Sequence, residues 1–253
     1  MRGSAIGGQG VALCRACVSV VAPRARPFRE LEMRLHSSYT SPYVRKVKIF
    51  LKEAGLFDGV EEVFTNPADD VVLRPLNPLG KIPVLETDDG TALFDSPVIC
   101  AYLDTLHAHE KLIPAGGEAY WRIRRTEALA DGLADAANLR RNEALRDPPS
   151  LISHAFIDRQ DLAICHALTA LDREAEGWTA DLPVMHDQIS TAAALGYIAF
   201  RYGDLPWQPQ CPALRAWFDR FSLRPSFTET EPRNPPGRPT PPPQAVAPKW
   251  TVV

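Results

Sequence analysis

The spacing of apolar and polar positions follows two regimes along this chain. From Met33 onward, short alternating runs predict strands over 34–38 and 60–65. Between them, 42–54 carries its apolar residues at helical spacing and reads as an amphipathic helix stopped by Gly55. A proline-punctuated stretch then passes through Asn77-Pro78-Leu79-Gly80. Strands at 83–86 and 91–94 follow, paired as an antiparallel hairpin about Asp88-Asp89-Gly90. Ser96 caps the next helix, with Pro97 at its first position, and that helix runs to near Leu106. The succession β-α-β-α-β-β-α is small for a doubly wound sheet and suits a four-stranded α/β unit, spanning 33–112. Beyond Pro114-Ala115-Gly116-Gly117 the strand signals vanish. Helical stretches at 118–146, 153–176, 187–202 and 212–223 predict an all-α bundle over 118–231.

Composition changes this picture mainly at the two ends. The 253 residues carry a net charge of −3, but 1–32 and 232–253 hold +3 each, so the part between them carries −9. A body this acidic lacks the basic footprint of a nucleic-acid binder. No apolar run approaches the roughly 18 residues of a membrane span, so a soluble protein without membrane association is expected. Residues 1–32 read as an extension. Their arginine-rich, acid-poor character fits a transit peptide, whereas Met33 directly before the first strand fits a start there, and the second reading is preferred. Cys14 and Cys17 are read as incidental thiols. Cys100, Cys165 and Cys211 are scattered and the total is odd, which argues against a disulfide framework and for a reducing compartment, the cytoplasm. Residues 232–253 hold eight of the 24 prolines, have little to bury, and are expected to form a disordered tail.

Three segments could carry chemistry. In Tyr39-Thr40-Ser41-Pro42-Tyr43, Ser41 stands at a strand-to-helix turn. There it caps the helix, or it sits where free N–H groups and the helix dipole would hold an anion such as a thiolate. In Asn77 to Leu85, a cis Ile82-Pro83 bond would free the Ile82 backbone to pair with an extended ligand, while a trans one would be an edge-strand proline. In Asp95-Ser96-Pro97 the serine is a cap, or it holds a ligand carboxylate while Asp95 takes an ammonium group. Each segment leaves both readings open. His107 and His109, two apart on a helix, should face different ways and make no metal site. Arg122, Arg124 and Arg125 with Glu127 read as a solvated helix face, with a role in a subunit interface as the alternative.

The three segments occur in order on the elements of one small fold. With SPYVRK at 41–46, NPLGKIPVL at 77–85, FDSPVICAYL at 94–103 and a closing Pro212-Ala213-Leu214 with Trp217, the chain resembles the glutathione transferase family over about 33–231. The resemblance implies a thioredoxin-like N-terminal domain, an all-helical C-terminal domain and a homodimer. It implies that Ser41 donates a hydrogen bond to the glutathione sulfur, with Tyr39 ranked second and Thr40 third as activators. Lys81 would meet the glycyl carboxylate, Ile82 at the Ile82-Pro83 bend the cysteinyl unit, and Asp95 with Ser96 the γ-glutamyl end. Glutathione is then a co-substrate, no metal is needed, and the activated thiolate attacks small apolar electrophiles in a pocket supplied by the helical domain, as in detoxification.

The same binding residues would serve a glutathione-dependent isomerase or lyase, and the fold also serves non-catalytic binding or assembly proteins. Serine at the position where disulfide-forming members carry cysteine disfavours disulfide chemistry through an enzyme thiol. One departure from the family pattern is Val184, three residues before Asp187, where a Ser or Thr cap is usual.

Overall fold

The computed structural model describes residues 32–66, 70–203, 207–236, 246–248 and 250–251. Four strands, β1 (Met33–Ser37), β2 (Val60–Phe64), β3 (Val84–Glu86) and β4 (Ala92–Leu93), form a sheet in the order β2-β1-β3-β4. β1 pairs parallel with β2 and antiparallel with β3, and β4 pairs antiparallel with β3. A parallel neighbour needs a crossover connection, which α1 (Pro42–Glu53) supplies. The helices α2 (Asp70–Leu73) and α3 (Ser96–Thr105) complete the unit. Met33 and Leu35 of β1 and Leu85 of β3 join Val47, Phe50, Ile99 and Leu103 in one buried core.

Local chemistry accounts for the element ends. Ser41 precedes Pro42, and its Oγ accepts the Val44 N–H at 3.3 Å. Past the C-cap Ala54, Gly55 takes φ 67°, the left-handed conformation glycine adopts most easily. The β3–β4 turn closes with the Thr87 amide on the Thr91 carbonyl at 2.9 Å and Gly90 at φ 82°. At α3 the sequence expectation is off by one residue. Ser96 is the first helical residue, and the cap position belongs to Asp95, whose side chain makes no cap hydrogen bond. Proline is tolerated at either of the first two helical positions, so Pro97 marks the start only to within one residue.

The second domain comprises α4 (Gly117–Ala144), α5 (His154–Ala175), α6 (His186–Tyr202), α7 (Pro212–Phe221) and the short α8 (Pro225–Thr228). α6 is buried on all sides from His186 to Ile198 and packs against α4, α7 and α1. It begins without a side-chain cap from Met185, and Asp187 Oδ1 instead accepts the Gln188 amide at 2.9 Å.

The two domains interlock through consecutive residues of α1. Arg45 donates from Nη2 to the Phe227 carbonyl at 3.0 Å and lies 3.8 Å above that ring, in space left by Gly196. Lys46 Nζ reaches both Asp131 oxygens at 2.8 Å and Glu127 Oε1 at 3.3 Å. Glu127 also accepts from His186 Nε2 at 2.8 Å and pairs with Arg124 at 2.6 Å. It is therefore a buried ion-network residue and not part of a solvated face, because α1 and α6 cover that side of α4.

The expected N-terminal extension lies outside the described residues, apart from Glu32. In the proline-rich tail the expectation of little to bury does not hold at Trp250. This ring is 2% exposed, packs on Tyr202 and donates from Nε1 to Asp161, which also pairs with Arg140. A large aromatic side chain such as this buries enough apolar area to hold its own position against the helical domain. Among the described residues, no helix is long and apolar enough to cross a membrane.

Candidate functional site

A cavity of about 610 Å³ opens where the start of α1, the loop before β3 and the start of α3 face α4 and α6. Ser41, Lys81, Ile82, Pro83, Asp95 and Ser96 all line it, as does Thr40. Tyr39 does not. It stacks on Phe64 with ring centroids 4.1 Å apart, lies 4.9 Å beneath the Arg233 guanidinium, and lines an adjoining cavity of about 450 Å³ that Ser41 also borders.

The start of α1 is arranged to leave one donor uncommitted. Pro42 has no N–H, the Val44 amide goes to Ser41 Oγ, and the Arg45 amide goes to the Ser41 carbonyl at 3.1 Å. The Tyr43 amide has no partner among the described residues. As a cap, Ser41 Oγ uses a lone pair and keeps its own proton, so it can donate to an anion while it accepts from the helix. The two readings of Ser41 are compatible in this geometry.

Asn77, which the sequence reading passed over as a functional residue, organises the loop before β3. Its buried amide donates to the Lys81 carbonyl at 2.8 Å and accepts from the Leu79 amide at 3.0 Å. Gly80 at φ 63° completes the turn. Lys81 is thereby held at the cavity with an exposed side chain, followed by Ile82 and a cis Ile82-Pro83 bond. The Phe94-Asp95 bond just before α3 is also cis.

The far wall comes from the helical domain and sets polar side chains beside apolar ones. Asp131, Asp135, Asn138 and Leu139 of α4 share one helix face, and Tyr197 and Arg201 of α6 stand beside them. A polar stripe at helical spacing was the available signal. The Tyr43 hydroxyl donates to Asp135, and burial together with that bond pushes its pKa far above the ordinary phenol value, so it stays protonated. Tyr197 Oη donates to Asn138 Oδ1 at 2.9 Å.

His107 and His109 lie beyond the end of α3 and do not face apart as expected. Their rings stack at 6.0 Å, and His107 Nε2 meets Asp104 Oδ1 at 3.1 Å. Among the described residues, no group of three or more His, Cys, Asp or Glu side chains is arranged to hold a metal ion.

Sheet order, helical second domain and the cleft between them define a two-domain protein of thioredoxin-like type. Residues 40–106 match the model of the glutathione S-transferase N-terminal domain. Over 206 residues, 79% of this chain and 98% of the relative, the sequence is 37% identical to YibF, an uncharacterised GST-like protein of Escherichia coli K12. A glutathione transferase family member from Pseudomonas fluorescens Pf-5, solved with bound glutathione, superposes with TM-score 0.73 at 39% identity, covering 80% of this chain and all of that one. A glutathione S-transferase from Methylobacillus flagellatus KT, also with glutathione bound, gives 0.74 at 37% identity, with coverage of 79% and 100%. The chain belongs to the glutathione S-transferase family.

Proposed function

We propose that the protein binds glutathione in this cavity, ionises its thiol beside Ser41 and transfers the thiolate to small electrophiles. The observation that carries the reading is that Ser41, Lys81, Ile82, Pro83, Asp95 and Ser96, drawn from three separated segments, line one cavity. Glutathione bears two carboxylates and one ammonium group, and these residues offer one lysine, one helix start and one aspartate. Relatives solved with glutathione bound favour the same ligand.

The energetics suffice without a metal. Moving a thiol from a pKa of about 8.5 to about 6.5 requires roughly 2.7 kcal/mol in favour of the thiolate. A helix start contributes about 0.3–2 kcal/mol, and a hydrogen bond to a charged group about 1.5–3 kcal/mol. The free Tyr43 amide and the Ser41 hydroxyl are the two donors available for this role. In this reading the protein is a cytoplasmic homodimer, and sedimentation velocity checks the assembly.

Calorimetric titration with glutathione, followed by a conjugation assay, tests the proposal. Wild-type protein should bind glutathione, and Lys81→Ala and Asp95→Asn should each weaken that binding about tenfold, since each removes one charge-assisted contact. Absence of binding overturns the reading. Binding without turnover of any electrophile transfers the protein to the isomerase or non-catalytic class.

A further inference from the structure

We infer that Arg201 reads a carboxylate on the second substrate, so that this protein takes acidic electrophiles. The inference rests on the transferase reading and deepens it by naming the substrate class.

The charges of the cavity divide into committed and uncommitted groups. Lys81 and Asp95 lie on the side assigned to the ends of glutathione. Asp131 is held by Lys46 with both oxygens at 2.8 Å, and Asp135 accepts the Tyr43 hydroxyl. Arg201 is different. Its guanidinium hydrogen-bonds the neutral Tyr197 hydroxyl, lies 4.5 Å over the Phe200 ring and 5.6 Å over that of Tyr197, and its Nε is buried without a hydrogen-bond partner. It makes no ion pair with a carboxylate among the described residues.

Burial first, and then repulsion from Arg141 on α4, pull the Arg201 pKa below the ordinary guanidinium value, without bringing it near neutrality. A partly buried guanidinium at the cavity wall that makes no ion pair among the described residues favours an anion beside it. Within the same wall, Asn138 spends its carbonyl oxygen on Tyr197 and retains its NH2 as a further donor. A guanidinium fork with an adjacent amide donor, on a wall where Asp131 is paired with Lys46 and Asp135 accepts the Tyr43 hydroxyl, matches a carboxylate better than an apolar or cationic group.

The reaction for such a substrate is a displacement. The glutathione sulfur, having released its proton to water, forms a bond to a carbon bearing a halide. The carbon–halogen bond breaks, and the halide leaves with the bonding pair. The product is a carboxyalkyl thioether whose carboxylate stays on Arg201.

Matched product analogues test this without requiring turnover. S-carboxymethyl and S-(2-carboxyethyl) glutathione, each beside its own carbamoyl isostere, are titrated into wild type, Arg201→Gln and Arg201→Lys by calorimetry. The acid-to-amide affinity ratio is taken within each protein, so a general loss of binding cancels. For wild type we expect at least one acid to bind about tenfold more tightly than its amide. The ratio should fall to near one in Arg201→Gln and be partly kept in Arg201→Lys. A ratio near one in wild type, or one that survives in Arg201→Gln, overturns the inference. Should Arg201→Gln not fold, the wild-type ratio and the Arg201→Lys protein still decide. Wild type that binds free glutathione with a ratio of one loses only the acidic-substrate assignment. Wild type that binds no glutathione loses the transferase reading, and this inference with it.

Discussion

Ser41 shows how one side chain can hold a structural and a chemical assignment together. Its oxygen closes the first turn of α1 by accepting from Val44, and its proton remains available to a ligand. The two jobs separate experimentally because glycine is a good N-cap and alanine is not. Ser41→Ala should lower stability by about 1 kcal/mol and Ser41→Gly by only a few tenths, read from denaturant midpoints. If the hydroxyl activates the thiol, both variants should raise the pKa of bound glutathione alike, followed by thiolate absorbance in the ultraviolet. A thiolate titration unchanged in Ser41→Gly would remove Ser41 from the chemistry and leave it a cap. The residues lining the N-terminal side of the cavity were legible because they fall in contiguous motifs at element ends. Asn77 was not, since its role is to hold two backbone groups that become neighbours only when the loop closes.

Between elements, the decisive contact is α1 against α6. A Cβ built on Gly196 would lie 2.1 Å from Arg45 Nη1, and the Arg45 side chain is fixed by its hydrogen bond to Phe227 and its stacking on that ring. Gly196→Ala should therefore destabilise by about 2 kcal/mol, a typical cost of overpacking, detected as a lowered unfolding midpoint. In an isolated helix the same substitution would stabilise, so the sign of the effect reports the interdomain contact. The tail offers a second test. Trp250→Ala should cost about 3 kcal/mol, because it removes a buried aromatic ring and leaves Asp161 short of one donor. A change within a few tenths would mean that Trp250 is not seated in solution.

Across the whole molecule, Lys46, Glu127, Asp131 and His186 tie the two domains together electrostatically. Burial alone would raise the Glu127 pKa, but the bond from His186 and the charges of His186, Lys46 and Arg124 overcome it and hold the group down to about 2, from an ordinary 4.5. A carboxylate with a depressed folded-state pKa contributes stability above its unfolded value and loses it as pH falls through the folded one. The Glu127 contribution should thus be complete above about pH 4.5 and vanish toward pH 2. Asp131, raised mainly by burial, acts with the opposite sign. Its neutral form is favoured by folding, so it does not cause loss on acidification. Glu127→Gln should cost about 3 kcal/mol at neutral pH by leaving Lys46 and His186 short of charge, and should flatten the acid limb of stability against pH. An acid limb of unchanged slope would exclude this network as its source.

Strand and helix order, the division into an α/β and an all-helical domain, and the motif residues on the N-terminal side of the cavity were all readable from the chain. Each depends on local periodicity or on residue types a few positions apart. The wall formed by Asp131, Asp135, Asn138, Tyr197 and Arg201, the burial of Glu127 and the seating of Trp250 were not. Those features arise where α4 and α6 turn particular faces toward α1, and periodicity defines a face without naming the element that will cover it. The family and the N-terminal side of the cavity were therefore accessible from local pattern. The character of the opposite wall depended on packing between helices far apart in the chain.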